Sequence, residues 1–412
     1  MGTGTFVSTN TQTRFNGSRA ADRPLLLTML ALLVFGLIML FSASYDFSAA
    51  VFDSATHMFN RQLLWLALGI AAAFVLARFD YHHWRKLAVP IMLVTMALLI
   101  GVLLMNEIRL GAKRSYFEGS IQPSELAKLV TVIYLSVWLY AKRELLHDIQ
   151  WGLIPLGVIL GLVGGLIYIQ PDLSAAGTVL ILGGLLFFLA GGDLKQIGLL
   201  LIAALAVGWL VVQVSPTGQE RIGPYLAGLK DPTQASYHVL RSFEAIVHGG
   251  FFGVGLGNAI TKHTGLPVPP TDSIFAVVVE ELGLFGALIL MGFYALLVWR
   301  GLVIARRAPD MLGTLLATGL VLWIGIEALI NMAVMVGLMP FAGNALPFVS
   351  AGGSNLVASL AAIGILLNVS RQRGAATQTN ETWRSFGETA DLRRRNGRRG
   401  LPRARRTRTV EN

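Results

Sequence analysis

Apolar residues in this chain come in long, nearly uninterrupted blocks. Such blocks lie at about 25–44, 62–78, 86–105, 123–141, 152–169, 174–191, 196–214, 275–299, 312–336 and 354–370. About 20 apolar residues in a helix are enough to cross the hydrocarbon core of a bilayer. The balance of residues agrees: 54% of the 412 are hydrophobic and 14% charged, where a soluble domain carries about a quarter charged residues. The expectation is an all-α polytopic membrane protein with about ten transmembrane helices.

Lys and Arg in short loops orient such a chain, because they accumulate on the cytoplasmic side. Arg78, Arg85 and Lys86 share one side with Lys142, Arg143, Lys195, Arg300, Arg306 and Arg307 if the spans alternate. Both termini then fall on that side too. A large extracytoplasmic loop separates spans 7 and 8, at about 215–274. Within it Ala235 to Val247 reads as a short helix. The first block follows Arg14, Arg19 and Arg23 and is too long for the core of a cleaved signal peptide, which runs to roughly 7–15 residues.

Three regions follow: an N-terminal cytoplasmic tail (1–23), a transmembrane domain (24–372) and an Arg-rich tail (373–412), expected to be disordered and cytoplasmic. From Arg371 onward, 12 Arg stand against 4 acidic residues, so +8 of the formal net charge of +10 sits there. Charge confined to a tail fits anionic lipid headgroups or a cytoplasmic partner rather than nucleic acid. With no cysteine in the chain, disulfides, thiolate nucleophiles and Cys-ligated zinc are excluded.

The outer side carries the candidates for chemistry. Arg109, Lys113, Arg114 and Glu118 lie in the loop 106–122, and Arg221, Asp231, His238, Arg241, His248, Lys262 and His263 in the longer one. Gln122-Pro123-Ser124-Glu125-Leu126-Ala127-Lys128 opens the fourth span. Glu125 and Lys128 are three apart and share a helix face. They either anchor the helix end or face a polar cavity. Asp272 precedes the eighth span, with Glu280 and Glu281 one to two turns further in. It reads as a helix N-cap or as a general base whose anionic form the helix terminus favours. Near the last span, Gly352 and Gly353 could expose amides to phosphate oxygens, or form a tight turn with Ser354 as cap. Spans are otherwise nearly free of charge, Glu327 being the main exception.

Together these segments resemble the SEDS family (shape, elongation, division and sporulation), whose branches include FtsW, RodA and SpoVE. The resemblance runs from about 25 to 372. It rests on the ten-span count, Gly111-Ala112-Lys113-Arg114, Gln122 to Lys128, Gln170-Pro171-Asp172-Leu173, Gly249 to Gly257, Thr271-Asp272 with Glu280-Glu281-Leu282-Gly283, and Leu346 to Ser354. Departures are Pro270 where His is usual, Ser273 for Phe and Ala351 for Tyr. His238 and Arg241 replace Gln, and Ser115-Tyr116 follow Arg114 in place of Trp.

The resemblance implies an inverting peptidoglycan glycosyltransferase that polymerises lipid II at the outer face of the bacterial plasma membrane. It implies a class B penicillin-binding protein as partner, with other divisome proteins. Asp272 matches the essential aspartate. Arg114 and Lys128 are the first candidates to steady the anionic leaving group, with Arg221 and Lys262 behind them; Glu125, Gly352, Gly353 and Ser354 complete the substrate-binding set. A divalent cation (Mg2+ or Mn2+) is compatible with this chemistry, although no ligand cluster identifies one. The extended tails favour septal wall synthesis. The alternatives are an elongation polymerase, a lipid II flippase and an inactive scaffold.

Overall fold

A computed structural model describes residues 21–104 and 122–372. All regular structure among them is helical. The elements are α1 (Arg23–Phe52), α2 (His57–Arg78), α3 (Trp84–Leu104), α4 (Pro123–Lys142), α5 (Ile154–Ile169), α6 (Leu173–Leu189) and α7 (Leu194–Val214). They continue through α8 (Pro216–Lys230), α9 (Tyr237–Gly249), α10 (Thr261–Thr264), α11 (Ile274–Arg306), α12 (Met311–Met335) and α13 (Gly353–Arg371). Nine helices among the described residues are long and apolar enough to cross a membrane. The apolar α6, at 17 residues, is shorter. The chain is an all-α, multi-pass membrane protein. α1 runs to Phe52, eight residues beyond the end of the apolar block.

Helices start where the sequence supplies acceptors for free amides. Asp22 accepts from Leu25 N at the head of α1, Asp172 from Ala175 N at the head of α6, and Asp310 from Gly313 N at the head of α12. α2 packs along α13, α11 along α12 and α1, and α3 along α4. Small residues permit the closest of these approaches, since helices in lipid associate through van der Waals packing. Gly69 faces Leu360 and Gly364 faces Ala73 across the α2–α13 seam. α12 and α13 are the most buried spans, whereas α7 leaves Leu201, Ile202, Leu205 and Trp209 exposed.

Polar ties gather at the two ends of the bundle. At one end Arg300 donates twice to Asp22 at 2.9 Å, Gln372 reaches Asp80, and His82 and Arg85 meet Asp310. These are the segments whose Lys and Arg the sequence placed on one side. At the other end lie α4's N-terminus, the segments 249–273 and the irregular stretch 340–352. Much of that stretch is buried, including Leu346, Phe348, Val349 and Ser350, as irregular backbone at membrane depth requires.

α11 is interrupted at Gly283, whose φ of 69° lies outside the helical region. In a continuous helix Leu284 N and Phe285 N would donate to Glu280 O and Glu281 O. Instead they donate to Gly250 O and Phe251 O, while Val254 N and Gly255 N donate to Glu280 O and Glu281 O. The glycine-rich segment between α9 and α10 thus replaces both missing helical bonds from outside. Such an approach leaves no room for side chains: a Cβ on Gly249 or Gly253 would strike the α11 backbone.

Candidate active site

Asp272 stands two residues before α11, half-buried. The cap position belongs to Ser273, whose hydroxyl donates to Pro267 O and does not accept from the helix amides. Three successive carbonyls fix this approach to the helix. Pro270 O accepts from Ala351 N at 2.7 Å, Thr271 O from Ser350 Oγ at 2.7 Å, and Asp272 O from Asn331 Nδ2 at 2.9 Å. The Asp272 carboxylate is therefore held against the 343–351 stretch. A Cβ on Gly343 would come within 3.0 Å of Asp272 Oδ2.

Beside it lies a buried charge cluster. Lys128 Nζ donates to Glu125 Oε1 at 2.8 Å and also to Glu327 Oε1. Asn355 Nδ2 donates to the second oxygens of both carboxylates, at 2.8 Å to Glu125 and 3.2 Å to Glu327. The cluster thus ties α4, α12 and α13 together, where spacing showed only Glu125 and Lys128. It is linked toward Asp272 by Asn344, whose amide donates to Glu327 O while its carbonyl accepts from Asn331. In the sequence Asn331 begins no recognisable catalytic signature by itself. Its signal was a lone amide inside an apolar span, where polar groups are costly unless they do something.

The remaining candidates take distinct places. Ser354 Oγ accepts from Gln122 N at 2.9 Å, joining the heads of α13 and α4 rather than capping its own helix. Gln122 and Ser124 in turn donate to Asp172. The Gly352 amide donates to Gln62 on α2, and Gly353 packs face-on against Trp65. The Lys262 side chain is 4% exposed; it donates to Gly257 O and Ser42 O and faces Asp46 and Glu281. Glu281 also accepts from Ser42, so this group ties α1 to the segment before α11. Arg221, on α8, borders a small cavity with Tyr225, Phe243, Gly337 and Phe341. Nearby, the His238 ring stacks on Phe341 at 3.9 Å, and burial lowers its pKa, favouring neutral imidazole. Arg114 lies outside the described residues.

The arrangement is a half-buried carboxylate fixed just before a helix, with a buried ionic cluster nearby in a multi-pass bundle, and a carboxylate so held can accept a proton. Comparison with known proteins gives the class a family. The Cell cycle protein family of FtsW, RodA and SpoVE matches residues 23–375, and this chain belongs to it. A probable peptidoglycan glycosyltransferase FtsW of Trichlorobacter lovleyi is 38% identical over 354 residues, 85% of this chain and 93% of the relative. Stage V sporulation protein E of Bacillus subtilis is 36% identical, covering 85% of this chain and 97% of its own. Among solved structures, a chain of a peptidoglycan synthase complex that coordinates polymerization and crosslinking superposes with a TM-score of 0.72 at 28% identity. That match covers 86% of this chain and 98% of the other. The rod shape determining protein RodA of Thermus thermophilus gives a TM-score of 0.65 at 28% identity, with the same coverage.

Proposed function

We propose that this chain is a peptidoglycan glycosyltransferase that polymerises lipid II, with Asp272 as its general base. The observation that carries the reading is the pinning of residues 270–272 by Ala351, Ser350 and Asn331, in a chain matched by the family from 23 to 375. Asp272 takes the proton of the acceptor sugar's 4-hydroxyl. The freed oxygen attacks the donor's anomeric carbon, and undecaprenyl pyrophosphate leaves from the opposite face with the bonding pair, inverting that carbon. Preorganised charge then matters most at the leaving oxygens.

Lys128 is already balanced by two carboxylates, so its part is to shape the floor of the site with Glu125. Arg114 is the cation assigned to the pyrophosphate, with Arg221 behind it, and the Gly352–Ser354 turn frames the headgroup. Lys262 holds the wall through Glu281. Among the described residues no group of three or more His, Cys, Asp or Glu side chains could hold a metal.

In this reading α6 is the tenth crossing, both termini are cytoplasmic and 215–273 lies outside, with Asp272 at the outer face of the plasma membrane; the nine long apolar helices and the shorter apolar α6 support it. The relatives named FtsW favour septal synthesis, and the neighbour from a complex that coordinates polymerization and crosslinking supports a crosslinking partner such as a class B penicillin-binding protein. The test is glycan-strand synthesis from lipid II by the purified full chain with its partner transpeptidase. Asp272→Asn is expected to abolish it, and equal yield from the two proteins refutes the assignment. Headgroup movement in proteoliposomes without polymerisation would favour a flippase instead.

A further inference from the structure

We infer that Asn331 is a positioning residue for the Asp272 carboxylate. The inference rests on the proposed role of Asp272. One amide nitrogen of Asn331 serves two backbones: it donates to Asp272 O at 2.9 Å and to Asn344 O at 2.6 Å. Residue 272 carries the carboxylate, and residue 344 follows Gly343, the residue that carboxylate faces. The span of a single –NH2 group therefore sets the distance between the acid and the surface it works against.

The other two anchors differ in kind. Ala351 N and Ser350 Oγ hold residues 270 and 271 from the loop itself. Asn331 alone of the three comes from a membrane-spanning helix, so it references the carboxylate to the rigid body of the bundle. Its side chain is buried, and its Oδ1 is also buried with no hydrogen-bond partner among the described residues. Leaving one end of a buried amide unsatisfied costs about 1–3 kcal/mol, so the side chain is not optimised for stability alone. The donor end, which the two carbonyls use, explains why the side chain is an amide.

Catalytic geometry tolerates little slack, and misplacement of about 1 Å costs on the order of a hundredfold in rate. The experiment compares Asn331→Ala and Asn331→Leu with the parent full chain, purified with its partner transpeptidase, in steady-state lipid II polymerisation. Both variants lack the donor, and leucine also keeps the site filled. Both are expected to lose about ten- to a hundredfold in kcat, with KM for lipid II within about twofold and monodisperse elution retained. Wild-type kcat in either variant overturns the inference. So does a raised KM at unchanged kcat, recovery by leucine alone, or aggregation of both variants. Asp272→Asn is assayed in parallel: if it stays active, the role of Asp272 fails. If it is dead while Asn331→Leu works normally, only the positioning role fails.

Discussion

Replacing Lys128 by Met isolates the energetics of the buried cluster. With lysine present the cluster holds one positive and two negative groups; without it, two carboxylates face each other with the Asn355 amide as the donor they share among the described residues. The Lys128 and Glu327 side chains are each no more than 1% exposed, so water cannot take the lysine's place. Removing one partner of a buried ion pair costs about 3–5 kcal/mol, because the other is left uncompensated. At about 2 °C per kcal/mol, the low end suited to a large chain, the apparent Tm should fall by about 6–10 °C.

Glu327→Gln makes the contrast. It keeps an oxygen for Lys128, gives up the bond from Asn355, which still donates to Glu125, and leaves a neutral Lys128–Glu125 pair, so its cost should stay within about 1.5 kcal/mol. Adding Glu125→Gln and Glu327→Gln to Lys128→Met should recover most of the lost stability, since a neutral cluster carries no stranded charge. The assay is tryptophan-fluorescence melting of the full chain in detergent at one fixed scan rate, because such unfolding is generally irreversible. A harmless Lys128→Met, or a Glu327→Gln as damaging as the lysine change, would refute the electrostatic account.

Gly283→Ala should prevent a folded product, because the new Cβ meets both a positive φ and the Phe251 backbone. Gly292→Ala, in the same helix with open space, should elute and melt like the parent. Gly343→Ala places a methyl 3.0 Å from Asp272 Oδ2; polymerisation kcat should fall about tenfold with the melting temperature unchanged, and an unaltered rate would count against that facing. At the opposite end, burial raises the pKa of Asp80, but hydrogen bonds from the His82 amide, Gln372 and the His82 ring outweigh it and bring it to about 2. The folded carboxyl is more acidic than the unfolded one, usually 3.8. Its stabilisation is therefore complete above that value and lost as pH falls toward 2. Asp80→Asn should flatten that acid limb in melts recorded between pH 2 and 5.

Block length made the spans legible, because the bilayer imposes it on every crossing. Asp272 and the Glu125–Lys128 pair were legible as ionisable groups at span ends. What stayed hidden depended on partners far away in the chain. Lys262 looked like a cation for substrate, yet it meets Ser42 and Glu281. Glu327 stood out as an isolated acid until α12 and α4 brought it to Lys128. Ser354 reads as a cap from local pattern, while its bond to Gln122 spans 232 positions. Helix α8 was missed because its composition is mixed and Pro224 lies inside it, so only its surroundings select the helix. Nothing local to Glu280-Glu281-Leu282-Gly283 announces a break whose repair comes from about thirty residues upstream.

That repair has a mechanical consequence. The leading turns of α11, which follow directly from Asp272, end at a joint rather than running on into the membrane-crossing remainder. At the joint, load passes sideways through four backbone bonds into the 249–257 segment, and from there into α9 and the Lys262–Glu281–Ser42 tie to α1. A pull on the 249–257 segment would thus reach the end of α11 that follows Asp272 before the long rod behind it.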